Sequence, residues 1–372
     1  MSPEDPALKD ARTAIRRFMR KLRGKWVDVN TAPPEAGFFF VPYRHAGEQL
    51  SLPLGWVGSR GCSWARQGGC TMCDYGGFSQ TASPDSIRDQ ILGLMETWGH
   101  PSIVNLSSLG SVFDPRELDL GQRRSFFETL GGIPYLKYVG VESRCEYVTE
   151  EVLKQALEWL RHVELDIGVG LESHNELIRN VILNKALTLR TYDRAVLTMN
   201  RHGVLPVTHV FLKPPLLTER EAVEDAAATI RYAVAAGSQR IVLMLANIKE
   251  RTLPWWLTQR GLYRVPWLWS ALRLLLSLTE EELSGLFVYG FKCGIPLLDT
   301  ARNCASCTKR IELLLDDFNR SGERAPLRQA WNLECSCRFE WEHEFARAPT
   351  APLRDRAIEL ARTLSGGSYA SC

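Results

Sequence analysis

The sequence has almost no net charge: Lys and Arg number 45 against 43 Asp and Glu, a formal +2. That excludes a polycation that binds nucleic acid over its whole surface, while a local basic patch stays compatible with the balanced total. No apolar run is long enough to cross a bilayer. The most apolar stretch, Trp267 to Leu278, is too short and carries Arg273. The opening residues, MSPEDPALKD, are acidic and contain proline but no apolar signal region, so a cytoplasmic location is expected. There is no internal repeat and no low-complexity tract.

What is present is core-forming material and cysteine. A chain of 372 residues, 45% of them hydrophobic, suffices for one large domain and a smaller appendage. Ten cysteines in a reducing compartment point to metal or redox chemistry rather than disulfides. They cluster as Cys62, Cys70, Cys73 and as Cys304, Cys307, Cys335, Cys337, with Cys145, Cys293 and Cys372 apart.

Residues 6–24 read as a basic amphipathic helix packed on the main domain, its solvated face favoured over a nucleic-acid contact. Residues 31–50, with Pro33, Pro34 and Gly37, read as loop. From residue 53 short apolar runs alternate with helical stretches: Leu54–Gly58, Ile103–Ser107, Leu136–Val141, Leu165–Leu171, Val204–Leu212 and Ile241–Ala246. Most are rich in Val and Ile, as buried parallel strands are. Ser83-Pro84-Asp85 and Thr149-Glu150-Glu151 start helices, and Thr218-Glu219-Arg220-Glu221 is a capping box. The expected fold is α/β, a partial (β/α)6 TIM-type barrel with a small C-terminal cysteine-rich metal module. The expected division is 1–50 helix and loop, 51–250 barrel, and 251–372 C-terminal extension.

The first cysteine group, Gly61-Cys62 through Cys70-Thr71-Met72-Cys73, follows the first predicted strand, at the end of the sheet where ligands gather. Three thiolates can hold three irons of a 4Fe–4S cubane and leave the fourth iron open. S-adenosylmethionine (SAM) can chelate that iron, and an electron from the cluster then yields a 5′-deoxyadenosyl radical that abstracts hydrogen. A zinc site completed by a distant ligand is the alternative. The second group, Cys304-x2-Cys307 and Cys335-x-Cys337, offers four thiolates in two pairs. That set suits structural zinc, with an auxiliary cluster as competitor and His343 and Cys293 as reserve ligands.

The chain resembles the radical SAM superfamily, and within it the RaSEA family, the radical SAM component of archaeosine synthesis, a relative of elongator-type enzymes. The likeness spans roughly residues 50–345. It rests on GSRGCSWARQGGCTMCDY, Gly110-Ser111 with Asp114-Pro115, VESRCEYVT at 141–149, VGLESHNELIRNVILNKALT at 169–188, FLKPPLLTEREAVEDA at 211–226, YRVPWLWS at 263–270 and NCASC at 303–307. It implies that Cys62, Cys70 and Cys73 ligate the cluster and that Gly110 and Ser111 face the SAM amino group. Glu142 and Arg144 would bind the methionyl carboxylate or the cluster edge, Glu172 would reach the ribose, and Lys213 closes the fifth strand. Glu142, Arg144 and Lys213 are the catalytic candidates, and Lys213 is also counted with Gly110, Ser111, Glu142, Arg144 and Glu172 as cofactor-binding. Trp255, Trp256, Trp267 and Trp269 are expected to be core contacts rather than base-stacking platforms.

The implied reaction is radical C–N cleavage of a lysine adduct of 7-deazaguanine in tRNA, leaving the formamidine of archaeosine. Its expected partners are tRNA, a lysine-attaching subunit and a ferredoxin- or flavodoxin-type electron donor. A paralogue acting on a small molecule or peptide, and a zinc-stabilised RNA-binding protein, are the alternatives. Three departures from the family pattern are visible: Cys145 where proline is usual, a Gly110-Ser111 loop one residue longer, and Ala246 to Thr252 in place of Asn-x-Gln-x-Gly-Thr.

Overall fold

The computed structural model describes residues 5–24, 39–45, 47–75, 79, 82–292 and 297–366. Helix α1, Pro6–Arg23, precedes strands β1, Phe39–His45, and β2, Glu48–Trp56. A βα alternation follows: α2 Pro84–Thr97, β3 Ile103–Ser107, α3 Leu120–Gly131, β4 Tyr138–Ser143, α4 Glu150–Leu160, β5 Glu164–Glu172, α5 Leu189–Arg201, β6 Leu205–Leu212, α6 Glu219–Ala235 and β7 Arg240–Leu245. Short helices α7 Leu253–Thr258, α8 Leu268–Ser277 and α9 Glu280–Ser284 lead to β8, Leu286–Tyr289. Helices α10 Thr308–Ser321, α11 Arg324–Trp331, α12 Cys337–Ala346 and α13 Leu353–Gly366 complete the chain.

The eight strands form one sheet in sequential order. β1 pairs antiparallel with β2, and every later pair is parallel. The six predicted strands are consecutive in this sheet, and β1 and β8 flank them. Side chains draw these outer strands together: Arg44 donates to Leu286 O at 2.6 Å, and Tyr43 stacks on Phe287 with centroids 4.9 Å apart. The sheet is thus a nearly closed barrel. Outward residues such as Val104, Leu106, Val139, Val141, Ile167 and Val169 are buried under the helices, which is why the strands read as apolar runs.

The predicted caps hold. Ser83 caps α2, Thr149 caps α4, and Thr218 with Glu221 completes both halves of a capping box at α6. Trp256, Trp267 and Trp269 are buried, as core contacts should be.

The loop expected over 31–50 is corrected in part. Residues 31–38 lie outside those described, but 39–45 and 48–50 belong to a hairpin. Pro42 masks the pattern: it sits on an outer strand that ladders on one side only, where a missing N–H is tolerated. Val41, Tyr43 and Leu52 are buried there. Among the described residues no helix is long and apolar enough to cross a membrane.

Candidate active site

The loop after β2 carries Cys62, Cys70 and Cys73 at the C-terminal ends of the parallel strands. Gly68 and Gly69 take φ of +110° and +63°, a region that side chains rarely adopt. Three neighbours hold the loop. From α1, Arg16 Nε donates to Gln67 O at 2.7 Å, and Arg23 donates to Gly68 O at 2.7 Å and to Cys70 O and Cys73 O at 2.6 Å each. From the π-helical turn Leu177–Ile182 and the residues after it, Asn184 Nδ2 donates to Gly69 O at 2.7 Å, and Leu183 O accepts from Thr71 N at 3.0 Å. Beyond β3, Glu117 accepts from the backbone N–H of Ser63 at 2.7 Å and of Ser111 at 2.5 Å. Burial pushes the Glu117 carboxyl up to about 7 against those bonds.

The three cysteines line a cavity of about 180 Å³ together with Gly110, Ser111, Glu142, Arg144 and Glu172. Glu142 accepts from Ser107 Oγ at 2.7 Å. Ser111 is fully buried, and its hydroxyl accepts from Arg144 N at 2.9 Å. The Arg144 guanidinium donates to Glu146 at 2.5 Å and lies over the Trp64 ring at 5.3 Å. Glu172 takes φ +65° and pairs with Lys185 at 2.7 Å.

Lys213 is the exception. Its ammonium, 6% exposed, pairs with Glu219, which also accepts from the Ser270 hydroxyl, and it lines neither this cavity nor the one below. Its backbone is left-handed, with φ +71°.

Other cavity residues escaped the sequence reading. Lys185 and Trp64 are two; Lys249, paired with Asp74 at 2.8 Å, comes from the 246–252 stretch that the sequence reading had already singled out. A second chamber of about 210 Å³ shares Tyr75, Glu142, Gly168, His209, Met244, Asn247 and Lys249 with the first and runs down the barrel. Its floor is Arg240, bonded to the hydroxyls of Tyr43 and Tyr138, to Asp166 at 3.4 Å and to His45 at 2.7 Å. Period-two alternation would have marked Asn105, Asp166 and His209 as inward positions.

The thiols test what each group fits. In the C-terminal quartet the Sγ atoms of Cys304–Cys335, Cys335–Cys337, Cys307–Cys337 and Cys304–Cys307 are 3.3, 3.5, 3.6 and 3.7 Å apart, and all lie within 4.8 Å. A tetrahedron with bonds of about 2.3 Å has edges of about 3.8 Å, so the quartet is the size of one ion. His343 is not part of it, and Cys293 and Cys372 lie outside the described residues. Cys62, Cys70 and Cys73 share one cavity. Burial raises the Cys62 thiol strongly and pushes Cys73 up to about 12.

Fold and site together define an α/β barrel with a cysteine-lined cavity at its strand ends and a separate four-thiol module. The archaeosine synthase subunit beta of Methanosarcina acetivorans is 30% identical over 289 residues, covering 76% of this chain and 82% of that protein. The same-named subunit of Thermococcus kodakarensis is 27% identical over 290 residues, 76% and 88% of the two chains. The chain belongs to the archaeosine synthase subunit beta family. No family model matches it. Among solved structures, the Elp3 protein of Methanocaldococcus infernus lacking its N-terminus is 14% identical, with TM-score 0.46 over 64% of this chain and 59% of that one. Methylornithine synthase is 11% identical, with TM-score 0.42 over 89% and 93%.

Proposed function

We propose that this chain is a radical SAM enzyme of tRNA modification, cleaving a C–N bond in a lysine adduct of 7-deazaguanine to give archaeosine. The observation that carries the reading is the trio Cys62, Cys70 and Cys73: three thiols on one loop, at the strand ends, lining one cavity that has no fourth thiol among its lining residues. Three such ligands fit a 4Fe–4S cluster with an open iron. The cluster, when bound, supplies the electron that splits SAM.

The chain's own groups then hold and shield. Gly110 and Ser111 offer close backbone approach for the SAM amino group. Glu142, Arg144 and Glu172 ring the same space with opposite charges suited to a zwitterion and a ribose. The lower chamber extends this space down the barrel. Lys213 lies apart from this ring, its ammonium paired with Glu219 and lining neither cavity.

The quartet Cys304, Cys307, Cys335 and Cys337 holds Zn²⁺ in this reading, because its spacing matches one tetrahedral ion rather than a second cubane. The relatives are named as subunits, which supports a partner chain that attaches the lysine. A ferredoxin- or flavodoxin-type donor would supply electrons. The test compares tRNA nucleosides from cells with and without the gene. Loss of archaeosine with accumulation of the lysine adduct is expected; unchanged tRNA would refute the substrate and favour a paralogue acting elsewhere.

A further inference from the structure

The outward-looking face of a basic helix is ordinarily solvent's. On α1 the face carrying Arg16, Arg20 and Arg23 is instead turned onto the cysteine loop. Arg16 and Arg20 both donate to Gln67 O, at 2.7 and 3.2 Å. Arg23, 2% exposed, bonds the carbonyls of Gly68, Cys70 and Cys73. Its Nε has no hydrogen-bond partner among the described residues. A buried guanidinium with an unsatisfied donor is costly, and here it is spent at the backbone of two thiol-bearing residues. Gly69 leaves room for it: a Cβ there would run into Arg23 Nη1.

We infer that Arg23 is a positioning residue of the cluster site, fixing the Cys70–Cys73 turn and placing one buried positive charge beside whatever the thiolates bind. The inference rests on the cluster reading above. Each added electron makes a thiolate-bound cluster more negative, and a fixed cation nearby favours the reduced form, the form that must hand its electron to SAM. Helix α1, remote in sequence from the loop, is therefore part of the redox site rather than an appendage.

The test uses the full chain, reconstituted anaerobically with iron and sulfide, as native protein, Arg23→Gln and Arg23→Lys. Iron per chain and the one-electron midpoint potential, followed by electron paramagnetic resonance, are read with and without SAM. Arg23→Gln is expected to keep a cluster whose reduction is about tenfold less favourable, which is about 59 mV more negative for one electron. Arg23→Lys keeps the charge and should keep the potential. It cannot span three carbonyls, however, so it should lose iron to a chelator faster. A Gln variant with native potential overturns the inference. Should the Gln variant not fold, the Lys variant decides: a native rate of iron loss, or a potential displaced from native, overturns it. Native protein that takes up zinc alone would sink the cluster reading itself; a native cluster indifferent to Arg23 would sink only this step.

Discussion

Lys185 Nζ lies 2.7 Å from Glu172 Oε1, with the two side chains 14% and 8% exposed. Burial alone would depress the ammonium, but the adjacent carboxylate overrides it and holds Lys185 above its usual range. Lys185→Met should therefore leave a carboxylate buried without its partner and cost about 3 kcal/mol in denaturant unfolding. Combining it with Glu172→Gln should recover much of that loss. Additive losses would show that the pair is not coupled.

Glu117 ties the cysteine loop to the Gly110-Ser111 turn through two backbone N–H groups. Glu117→Ala orphans both donors inside the protein, each worth about 1–3 kcal/mol when unmet. The expected outcome is lower stability and less iron retained per chain after desalting. Retention equal to the native protein's would show that the loop does not need this anchor.

Asp166 gives a pH prediction. Burial pushes its carboxyl up to about 7, with Arg240 pulling against it. The folded chain thus binds a proton that the unfolded chain, near 3.8, has released. This group's contribution to stability falls as pH rises from about 4 through about 7. Melting curves at pH 5.5 and 8 should show the native protein losing stability toward the higher pH relative to Asp166→Asn. Parallel curves would contradict the assignment.

The four-thiol module should carry one tightly held metal ion. Replacing it by Co²⁺ should give the visible absorption of a tetrahedral thiolate site, and Cys304→Ser should lower solubility and Tm while sparing the first site. Trp269 Nε1, 3.3 Å from Cys337 Sγ, ties that module to the core, so its loss should spread. Iron and labile sulfide at the quartet would contradict the single-ion geometry.

Much of this was legible in the sequence because it is local. Cysteine spacing, the caps at Ser83, Thr149 and Thr218, and the Val- and Ile-rich strands are signals carried within a few residues. Strand β1 was not legible, since Pro42 speaks against a strand and only its place at the sheet edge excuses it. Arg23 and Lys185 were missed because their partners are fixed by tertiary contact: Arg23 meets residues 45 to 50 positions away. Lys213 was named as a site residue, and the structure places its ammonium outside the two described cavities. A charged residue at a strand end reads as part of a site, yet its ammonium is paired with Glu219 at the start of α6, a tertiary contact no local pattern shows.

The proposed role of Cys62, Cys70 and Cys73 is to hold a SAM-reducing cluster. The direct measurement is release of 5′-deoxyadenosine from SAM by the anaerobically reconstituted, chemically reduced protein. The native protein should be brown and form 5′-deoxyadenosine, and a Cys70→Ala variant should form none. A folded protein that binds only zinc and leaves SAM intact would contradict it.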